Sequence, residues 1–444
     1  MRRSAALALL VLSAPAMPAS RAPYGGTLRV AAEQDDVGVQ RLLESGVCRL
    51  FEGRLQGVLA TSVTATDPLH WRVKLRAELR LPSGAPLTAS DVARAWQRLA
   101  DSGTRSPYRG LLAPLRGQGA SLSGAATKPD TLVLPLSYPF PDFAESLCHP
   151  ALDVTVPVDR RREGLGPFRA TLQPHTFAAN LQYPLGRPYP DKLELLPGTD
   201  RRGDAQRFDV RLNGRKDGAR MAPVAPLLAT YLVYREPRVG LDFRRAFDGA
   251  VDVSQLAELF ALSPSAAMTS LLPPGMMPQR PAPRPFASSA ERRTLTLAFD
   301  EASPSNRAAA ERIQLKLNER GFTLSLHPAS GEVLRALWER DNFDALLITV
   351  LLPRAPAAAL AVVLELAGRS PLAARELPAL GALSDAAARA RKTAERATAL
   401  LPELPLIPLY AQGWQVELAA RVHGEKVGDD GVPALDELFL SDAP

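Results

Sequence analysis

Residues 294–350 decide the fold class: TLTLAFDEASPSNRAAAERIQLKLNERGFTLSLHPASGEVLRALWERDNFDALLITV. TLTLAF and FTLSLH alternate apolar and polar residues as half-buried strands do, and FDALLITV is the continuous apolar run of a strand covered on both faces. The stretch between the first two strands has helical spacing, and we expect Asn306 to cap this helix and Gly321 to end it. In EVLRALWER we expect four side chains to point inward: Val333, Leu334, Leu337 and Trp338. Strand, helix, strand, helix, strand predicts a parallel α/β unit.

A second informative stretch begins at Trp71. WRVKLRAELRL alternates apolar and basic residues, which predicts a half-buried strand. LTASDVARAWQRL then predicts a helix with Thr88 as its N-cap and Asp91 three positions later, the pattern of a capping box. Trp71 and Trp96 both fall on the apolar face of their element, so we expect them to pack in the core.

Length and composition predict two or three globular domains. The chain has 444 residues, of which 46% are hydrophobic, 23% charged and 6% aromatic, and two are cysteines. These values argue against intrinsic disorder, a coiled coil and a disulfide-dense scaffold. The 53 Lys and Arg residues outnumber the 47 Asp and Glu residues by six, but they are spread along the chain. No basic arm is present, so a nucleic-acid partner is not expected.

Residues 1–22 have the outline of a secretory signal peptide. Arg2 and Arg3 precede the apolar run AALALLVL, and small residues follow it. The run is shorter than the roughly 18–20 residues that cross a bilayer, so a cleaved export signal is preferred to a membrane anchor. Cleavage is expected after Ala19 or Ala22. Because no cysteine lies near that site, we expect a periplasmic protein without a lipid anchor, and we predict no transmembrane helix elsewhere.

Catalytic and metal-binding patterns are missing from the sequence. The five histidines form no pair at i, i+3 or i+4, so a zinc site is not expected. A G-x-S-x-G elbow, a Walker loop, a G-x-G-x-x-G turn and an H-E-x-x-H helix are also missing. We therefore favour a binding protein without a cofactor over an enzyme. In an oxidising compartment Cys48 and Cys148 could form one disulfide, and two buried free thiols are the alternative.

Eight segments, in order, resemble the family 5 extracellular solute-binding proteins, the peptide- and nickel-type receptors of ABC importers. The best match is WRVKLRAELRLPSGAPLTASDVARAW at 71–96, which is similar to the family's Trp-led strand, turn and helix start. The others are GGTLRVA (25–31), LFEGRL (50–55), GLGPFRA (164–170), NLQYPLGRPYPDKLEL (180–195), DFRRAFDGAVDVSQL (242–256), ERIQLKLNERGFTLSL (311–326) and LPELPLIPLY (401–410).

The resemblance implies an α/β, periplasmic-binding-protein-like fold with two lobes around a ligand cleft and an extra small domain. Lobe I would be discontinuous, at 24–46, 152–234 and 405–444, with an inserted domain at 47–151 and lobe II at 235–404. Cys48 and Cys148 would then lie at the two ends of the inserted domain, which favours the disulfide. A small-molecule or peptide ligand would be enclosed by hinge closure, and a monomeric receptor would deliver it to an ABC permease in the inner membrane.

The sequence departs from the family near the presumed cleft. Peptide-binding relatives carry an acid before a proline after the strand that resembles FDALLITV, and this acid holds the peptide's α-amino group. Here Ala355 precedes Pro356. A buried ammonium without a carboxylate is costly, so an anionic or neutral ligand is favoured. Since ligands bind beyond the carboxyl ends of strands, the candidate cleft residues are Asp35, Asp36, Thr349, Arg354 and Trp414.

Three interpretations of function follow. The first is an import receptor that captures a solute for a permease. The second is a degenerate receptor-like protein that acts as a sensor or docks on a partner without transport, which is consistent with shortened stretches after residue 55 and between 195 and 231. The third is an enzyme whose site is not recognised from sequence.

Overall fold

The computed structural model describes a defined part of the chain: residues 24–32, 37–101, 105–116, 122–158, 161–196, 208–212, 220–221, 226–236, 238–262, 264–280, 293–414 and 416–441. The predicted signal peptide at 1–22 lies outside these residues. The same is true of two candidate cleft residues, Asp35 and Asp36.

The first sheet is built around the strand Thr27–Ala31. In spatial order it contains Phe168–Ala170, Thr176–Ala179, Lys192–Leu196, Thr27–Ala31, Val210–Leu212, Val416–Leu418 and Arg220–Met221. Thr27–Ala31 runs parallel to both of its neighbours and buries Leu28 and Val30 completely. The helix Val37–Leu43 adds Val39 and Leu42 to the same core.

The second sheet contains the α/β unit predicted from residues 294–350. Its spatial order is Ser265–Ala267, Leu406–Gln412, Leu228–Tyr234, Ala345–Leu351, Arg293–Asp300 and Phe322–Ala329. Arg293–Asp300 is parallel to the strands on both sides, and the helices Pro304–Asn318 and Gly331–Glu339 connect these three strands. The predicted order of strands and helices is therefore confirmed.

Two details of this unit differ from the prediction. Ser303, not Asn306, caps the first helix, because Pro304 fits the first helical position and the Ser303 hydroxyl accepts from the Asn306 N–H at 3.2 Å. Val333 is 45% exposed, since the second helix turns Leu334 and Trp338 towards the core instead.

The third sheet lies within residues 60–135. It contains, in order, Ala60–Asp67, His70–Leu75, Thr131–Pro135 and Ala126–Lys128. Thr88 caps the helix Ala89–Ala100 as predicted, and its N–H donates to Asp91 Oδ2 at 2.8 Å. Trp71 and Trp96 are buried in the core. Their packing confirms the structural role expected for both.

Short hairpins and further helices complete the described chain. The hairpins pair Cys48–Phe51 with Arg54–Gly57, Thr155–Val158 with Arg161–Gly164, and Val422–His423 with Phe439–Leu440. The remaining α-helices are Ala113–Arg116, Phe143–Leu147, Leu241–Ala250, Val253–Phe260, Pro356–Leu366, Ser370–Gly381 and Ala386–Leu400. The 3₁₀ helices are Pro107–Leu112, Leu122–Gly124, Pro150–Leu152, Leu401–Glu403 and Leu435–Glu437.

The chain crosses between the first and second sheets at positions that differ from the lobe boundaries expected from the sequence. Leu228–Tyr234 pairs with both Ala345–Leu351 and Leu406–Gln412. The chain therefore joins the second sheet before residue 228 and leaves it after residue 412, rather than at 234/235 and 404/405. Apolar periodicity identifies a buried strand, but it does not show which of two sheets the strand joins.

One cysteine begins the hairpin strand Cys48–Phe51, and the other directly follows the helix Phe143–Leu147. Cys48 and Cys148 form a disulfide, with Cα atoms 4.7 Å apart and 100 positions of chain between them. The bridge closes the chain segment that contains the third sheet.

Candidate ligand-binding site

Three predicted cleft residues, Thr349, Arg354 and Trp414, lie around one end of the second sheet. The Thr349 hydroxyl is 2.9 Å from the Thr230 hydroxyl on the neighbouring strand. Arg354 follows the strand end, and its side chain is 52% exposed. Trp414 is only 3% exposed and shares a buried apolar cluster with Leu351, the last residue of the strand. The structure therefore brings Trp414 to the strand end, while Thr349 hydrogen-bonds within the sheet.

The backbone of Leu351 is held by two side chains from a distant part of the chain, Tyr108 and His149. The Leu351 N–H donates to the Tyr108 hydroxyl at 3.1 Å, and His149 Nε2 lies 3.2 Å from the Leu351 carbonyl oxygen. His149 Nδ1 accepts from the Ala151 N–H at 3.1 Å, so Nε2 carries the proton and donates to Leu351. Both ring nitrogens of His149 are satisfied in the neutral imidazole.

Burial controls the titration of these two side chains. Desolvation, together with the positive charge of nearby Arg41, lowers the pKa of His149 to about 3. Desolvation raises the pKa of Tyr108 to about 12. Both groups are therefore neutral at physiological pH, as a dry contact at the strand end requires.

Carboxylates from distant parts of the chain flank Arg354. Asp429 Oδ2 lies 3.4 Å from Arg354 Nη1 and also accepts from the Gly53 N–H at 2.6 Å. Glu145 also lies near Arg354: burial chiefly raises the pKa of its carboxyl group, and the charge of Arg354 opposes the rise. The expectation that this strand end lacks a carboxylate is therefore wrong. The position before Pro356 carries no acid, but the fold supplies two from elsewhere.

These residues form one group, which we call the strand-end cluster. It consists of Tyr108, Glu145, His149, Leu351, Arg354, Trp414 and Asp429. Its chemistry combines a half-exposed guanidinium, two carboxylates and the buried face of an indole. Such a set can bind a polar or zwitterionic solute against an apolar floor.

A second polar group, around Arg41, adjoins this cluster. Arg41 Nη1 donates to Asp430 at 2.8 Å, Nη2 donates to the Cys148 carbonyl at 3.0 Å, and Nε lies 3.4 Å from Asp153 Oδ2. Burial raises the pKa of Asp153 to about 7, and its Oδ1 atom is buried without a hydrogen-bond partner.

A cavity of about 40 Å³ lies beside Arg41 and Asp153, and Tyr183 and Arg49 also line it. One water needs roughly 10–15 Å³ of such space, so the cavity admits a few water molecules and no peptide. The Arg41 group is therefore a buried polar junction between chain segments, with room for a few water molecules beside it.

Sequence reasoning missed Tyr108, Glu145, His149 and Asp429. Periodicity gives no sign that Tyr108 or His149 will contact a strand 200 or more positions away in the chain. The acid pair in GDDG was a usable signal, because Asp429 and Asp430 bind two different arginines, Arg354 and Arg41. Their partners still could not be named without the fold.

Metal-ligating side chains do not gather into a site in the described part of the chain. Within those ranges, His, Cys, Asp and Glu side chains form no group of three or more that could hold a metal ion. Across the described helices, none combines the length and the apolar character needed to cross a membrane.

Comparisons with known proteins agree on one family. The model of the bacterial extracellular solute-binding proteins, family 5 (middle region), matches residues 54–211. The periplasmic oligopeptide-binding protein OppA of Escherichia coli K12 is 32% identical over 133 residues, which cover 26% of this chain and 24% of OppA. The chain thus matches about a quarter of that relative's length.

Solved structures match over most of the chain. The murein tripeptide-binding protein MppA of E. coli has a TM-score of 0.76 at 16% identity, covering 94% of this chain and 99% of MppA. The unliganded open form of MppA has a TM-score of 0.56 at 17% identity, with 95% and 99% covered. NikA of Staphylococcus aureus, in complex with Ni(L-His)₂, has a TM-score of 0.72 at 13% identity, with 94% and 100% covered. The chain is therefore similar to the bacterial extracellular solute-binding proteins of family 5 over residues 54–211, and it shares the fold of the solved structures over most of its length.

Proposed function

We propose that the protein is an extracytoplasmic solute-binding receptor of an ABC transporter, which captures a small peptide-like or other solute between two lobes by hinge closure. The observation that carries this proposal is the match in fold across 94% of the chain to MppA, a murein tripeptide-binding protein, and to NikA in complex with Ni(L-His)₂. These two ligands differ in chemistry, so the match supports the class of protein and leaves the ligand open. We place the receptor in the periplasm as a monomer, with a permease of the inner membrane as its partner.

The strand-end cluster is our candidate for the ligand site. Arg354 Nη1 lies 3.4 Å from Asp429 Oδ2, with the arginine side chain 52% exposed and the aspartate side chain 18% exposed. Ion pairs that reach solvent contribute only about 0–1 kcal/mol to stability. A ligand carboxylate could therefore replace Asp429 at Arg354 at little cost. Asp429 would keep its hydrogen bond from Gly53, and Glu145 would remain to accept from a donor group of the ligand.

A sensor or docking module without transport is the second candidate. Two of the predicted cleft residues favour it, because they already contact other parts of the protein. Trp414 is buried, and Thr349 is hydrogen-bonded to Thr230. Enzyme activity has no support from OppA and MppA, which are described as binding proteins.

A ligand screen followed by one substitution tests the proposal. Purified protein is screened by thermal shift against peptides, amino acids, sugars and metal chelates, since a ligand that binds the native state raises its melting temperature. Arg354→Gln should reduce the shift given by any hit. Arg369→Gln is a matched control, because Arg369 also forms a half-exposed ion pair on the second lobe, with Glu236 at 2.8 Å.

The outcomes separate the two candidates. A hit that Arg354→Gln weakens, and whose cellular uptake requires this protein, supports the import receptor. A hit without any effect on uptake supports the sensor. If no ligand class stabilises the protein, the import receptor is contradicted.

A further inference from the structure

We propose that Arg98 and Arg162 form a binding site for a phosphate group. Arg98 lies on the helix Ala89–Ala100, and Arg162 lies on the hairpin that pairs Thr155–Val158 with Arg161–Gly164. The site shares no residue with the strand-end cluster. It therefore goes beyond the proposed function, since it concerns a different ligand at a different place on the protein.

One threonine positions both guanidinium groups. Arg98 Nη2 donates to the Thr155 carbonyl oxygen at 3.1 Å, and Arg162 Nε donates to the Thr155 hydroxyl oxygen at 2.9 Å. Arg162 Nη2 contacts the same hydroxyl oxygen. Thr155 is only 7% exposed, so it forms a fixed base beneath the two side chains. Because one residue holds both arginines, their positive charges are neighbours.

The charge around Arg98 is positive. Burial is the main cause that lowers the pKa of Arg98, and the charges of Arg162 and Arg94 lower it further. Within the described ranges, neither Arg98 nor Arg162 forms an ion pair with a carboxylate. Like charges that lie close together repel, and an anion bound between them removes that repulsion.

The acidic groups around the two arginines have other partners or are buried. Asp91 is paired with Arg94 on the same helix. Glu163, the neighbour of Arg162 in sequence, accepts from a loop backbone N–H at 3.1 Å. Glu44 feels the charge of Arg162, but burial is the larger effect and raises the pKa of its carboxyl group. The two guanidinium groups therefore keep an excess of positive charge.

The donors of the site fit the oxygens of a phosphate group. A guanidinium has five N–H donors in a planar fork that matches phosphate geometry. Arg98 uses one nitrogen on Thr155 and Arg162 uses two, so both keep donors for a ligand. Arg162 is exposed and Arg98 is partly exposed, so solvent reaches both side chains. A phosphate group carries a charge of about −1.5 to −2 at pH 7 and can accept from both arginines at once.

Calorimetric titration of the full-length protein with inorganic phosphate tests the proposal. Sodium chloride keeps the ionic strength constant, and the ³¹P linewidth of the phosphate gives a second readout. Arg98→Gln and Arg162→Gln should each weaken binding at least about tenfold, because each removes charged hydrogen bonds to the ligand. Arg162→Lys keeps the charge but loses the planar fork, so an intermediate loss is expected.

Arg161→Gln is the matched control. It removes the same charge one position away, and successive side chains of a strand point to opposite faces. Arg161 is exposed, and its replacement should change the affinity for phosphate by less than about twofold. Urea denaturation without phosphate checks that each variant is folded. Glycerol phosphate, titrated in parallel with glycerol as its control, shows whether the site also accepts a phosphate group carried by a larger solute.

Two results would overturn the proposal. The first is phosphate binding no tighter than chloride binding to the wild type. The second is an equal loss of affinity in Arg161→Gln and Arg162→Gln, because the effect would then come from the general positive charge of this surface. Neither result depends on a ligand at Arg354, so failure here is distinct from failure of the proposed function.

Discussion

Gly110→Ala is the sharpest test of how residues 60–147 pack on the second lobe. The new Cβ atom would lie 2.5 Å from Ala361 C and O and 2.8 Å from Val362 N, all of them backbone atoms in a buried helix. Favourable carbon contacts need about 3.5 Å, so the two segments would have to separate by roughly 1 Å. Overpacking of this kind costs about 1–3 kcal/mol, and the lower entropy of an unfolded alanine offsets only about 0.4–1 kcal/mol. We expect the free energy of unfolding to fall by about 1–2 kcal/mol.

Urea denaturation of this variant and of one matched control measures the effect. Gly124→Ala is the control, since Gly124 lies in the same part of the chain and no atom lies within 4 Å of the position that a Cβ atom would take there. That variant should change the free energy of unfolding by less than about 0.5 kcal/mol. Equal stabilities for Gly110→Ala and Gly124→Ala would refute the packing argument, because the clash would then be absorbed without cost.

Further predictions concern charge and cross-linking. Because burial lowers the pKa of His149 to about 3 from 6.5, the unfolded chain takes up a proton that the folded chain excludes. Stability from this residue is complete above pH 6.5 and falls by about 1.4 kcal/mol per pH unit towards pH 3, so His149→Gln should flatten the stability curve measured by urea denaturation across that window. Replacing Cys48 and Cys148 by serine should lower the free energy of unfolding by about 4 kcal/mol, as should a reductant acting on the wild type, and an unchanged melting temperature would contradict this. Asp142→Asn should cost about 3–5 kcal/mol because its arginine partner is buried, whereas Glu395→Gln, in an exposed pair, should cost less than about 1 kcal/mol; similar losses would show that burial does not matter here.

The sequence pattern was sufficient to predict elements whose structure depends on residues close together in the chain. The strands and helices of residues 294–350 and the Thr88 cap follow from apolar spacing and from hydrogen bonds between residues close in sequence. The prediction that Asn306 would cap a helix failed because Pro304 moves the helix start back to Ser303. Asn306 is a residue type that can cap a helix, but it lies three positions after the actual cap, Ser303.

The candidate site was predictable only in part, because its members come from distant segments. The rule that ligands bind beyond the carboxyl ends of strands located Arg354 and Trp414 near one strand end. It gave no information on Glu145 or Asp429, which reach Arg354 from 209 and 75 positions away. An acid missing at one position of a sequence therefore does not mean that the site lacks a carboxylate.

Motion of the first lobe and ligand recognition would be coupled at Arg354. Tyr108 and His149 hold the backbone of Leu351 by two hydrogen bonds, which fix the end of its strand. Asp429 is held elsewhere: its N–H donates to the Leu50 carbonyl, and its carboxylate accepts from Gly53 in the hairpin that contacts the C-terminal segment. Separation of the lobes would therefore break the contact between Asp429 and Arg354 together with the apolar contacts of Val432 in the cluster of Leu351 and Trp414. A ligand with an acidic group would then replace Asp429 as the partner of Arg354, while Glu145 stays close to the same guanidinium.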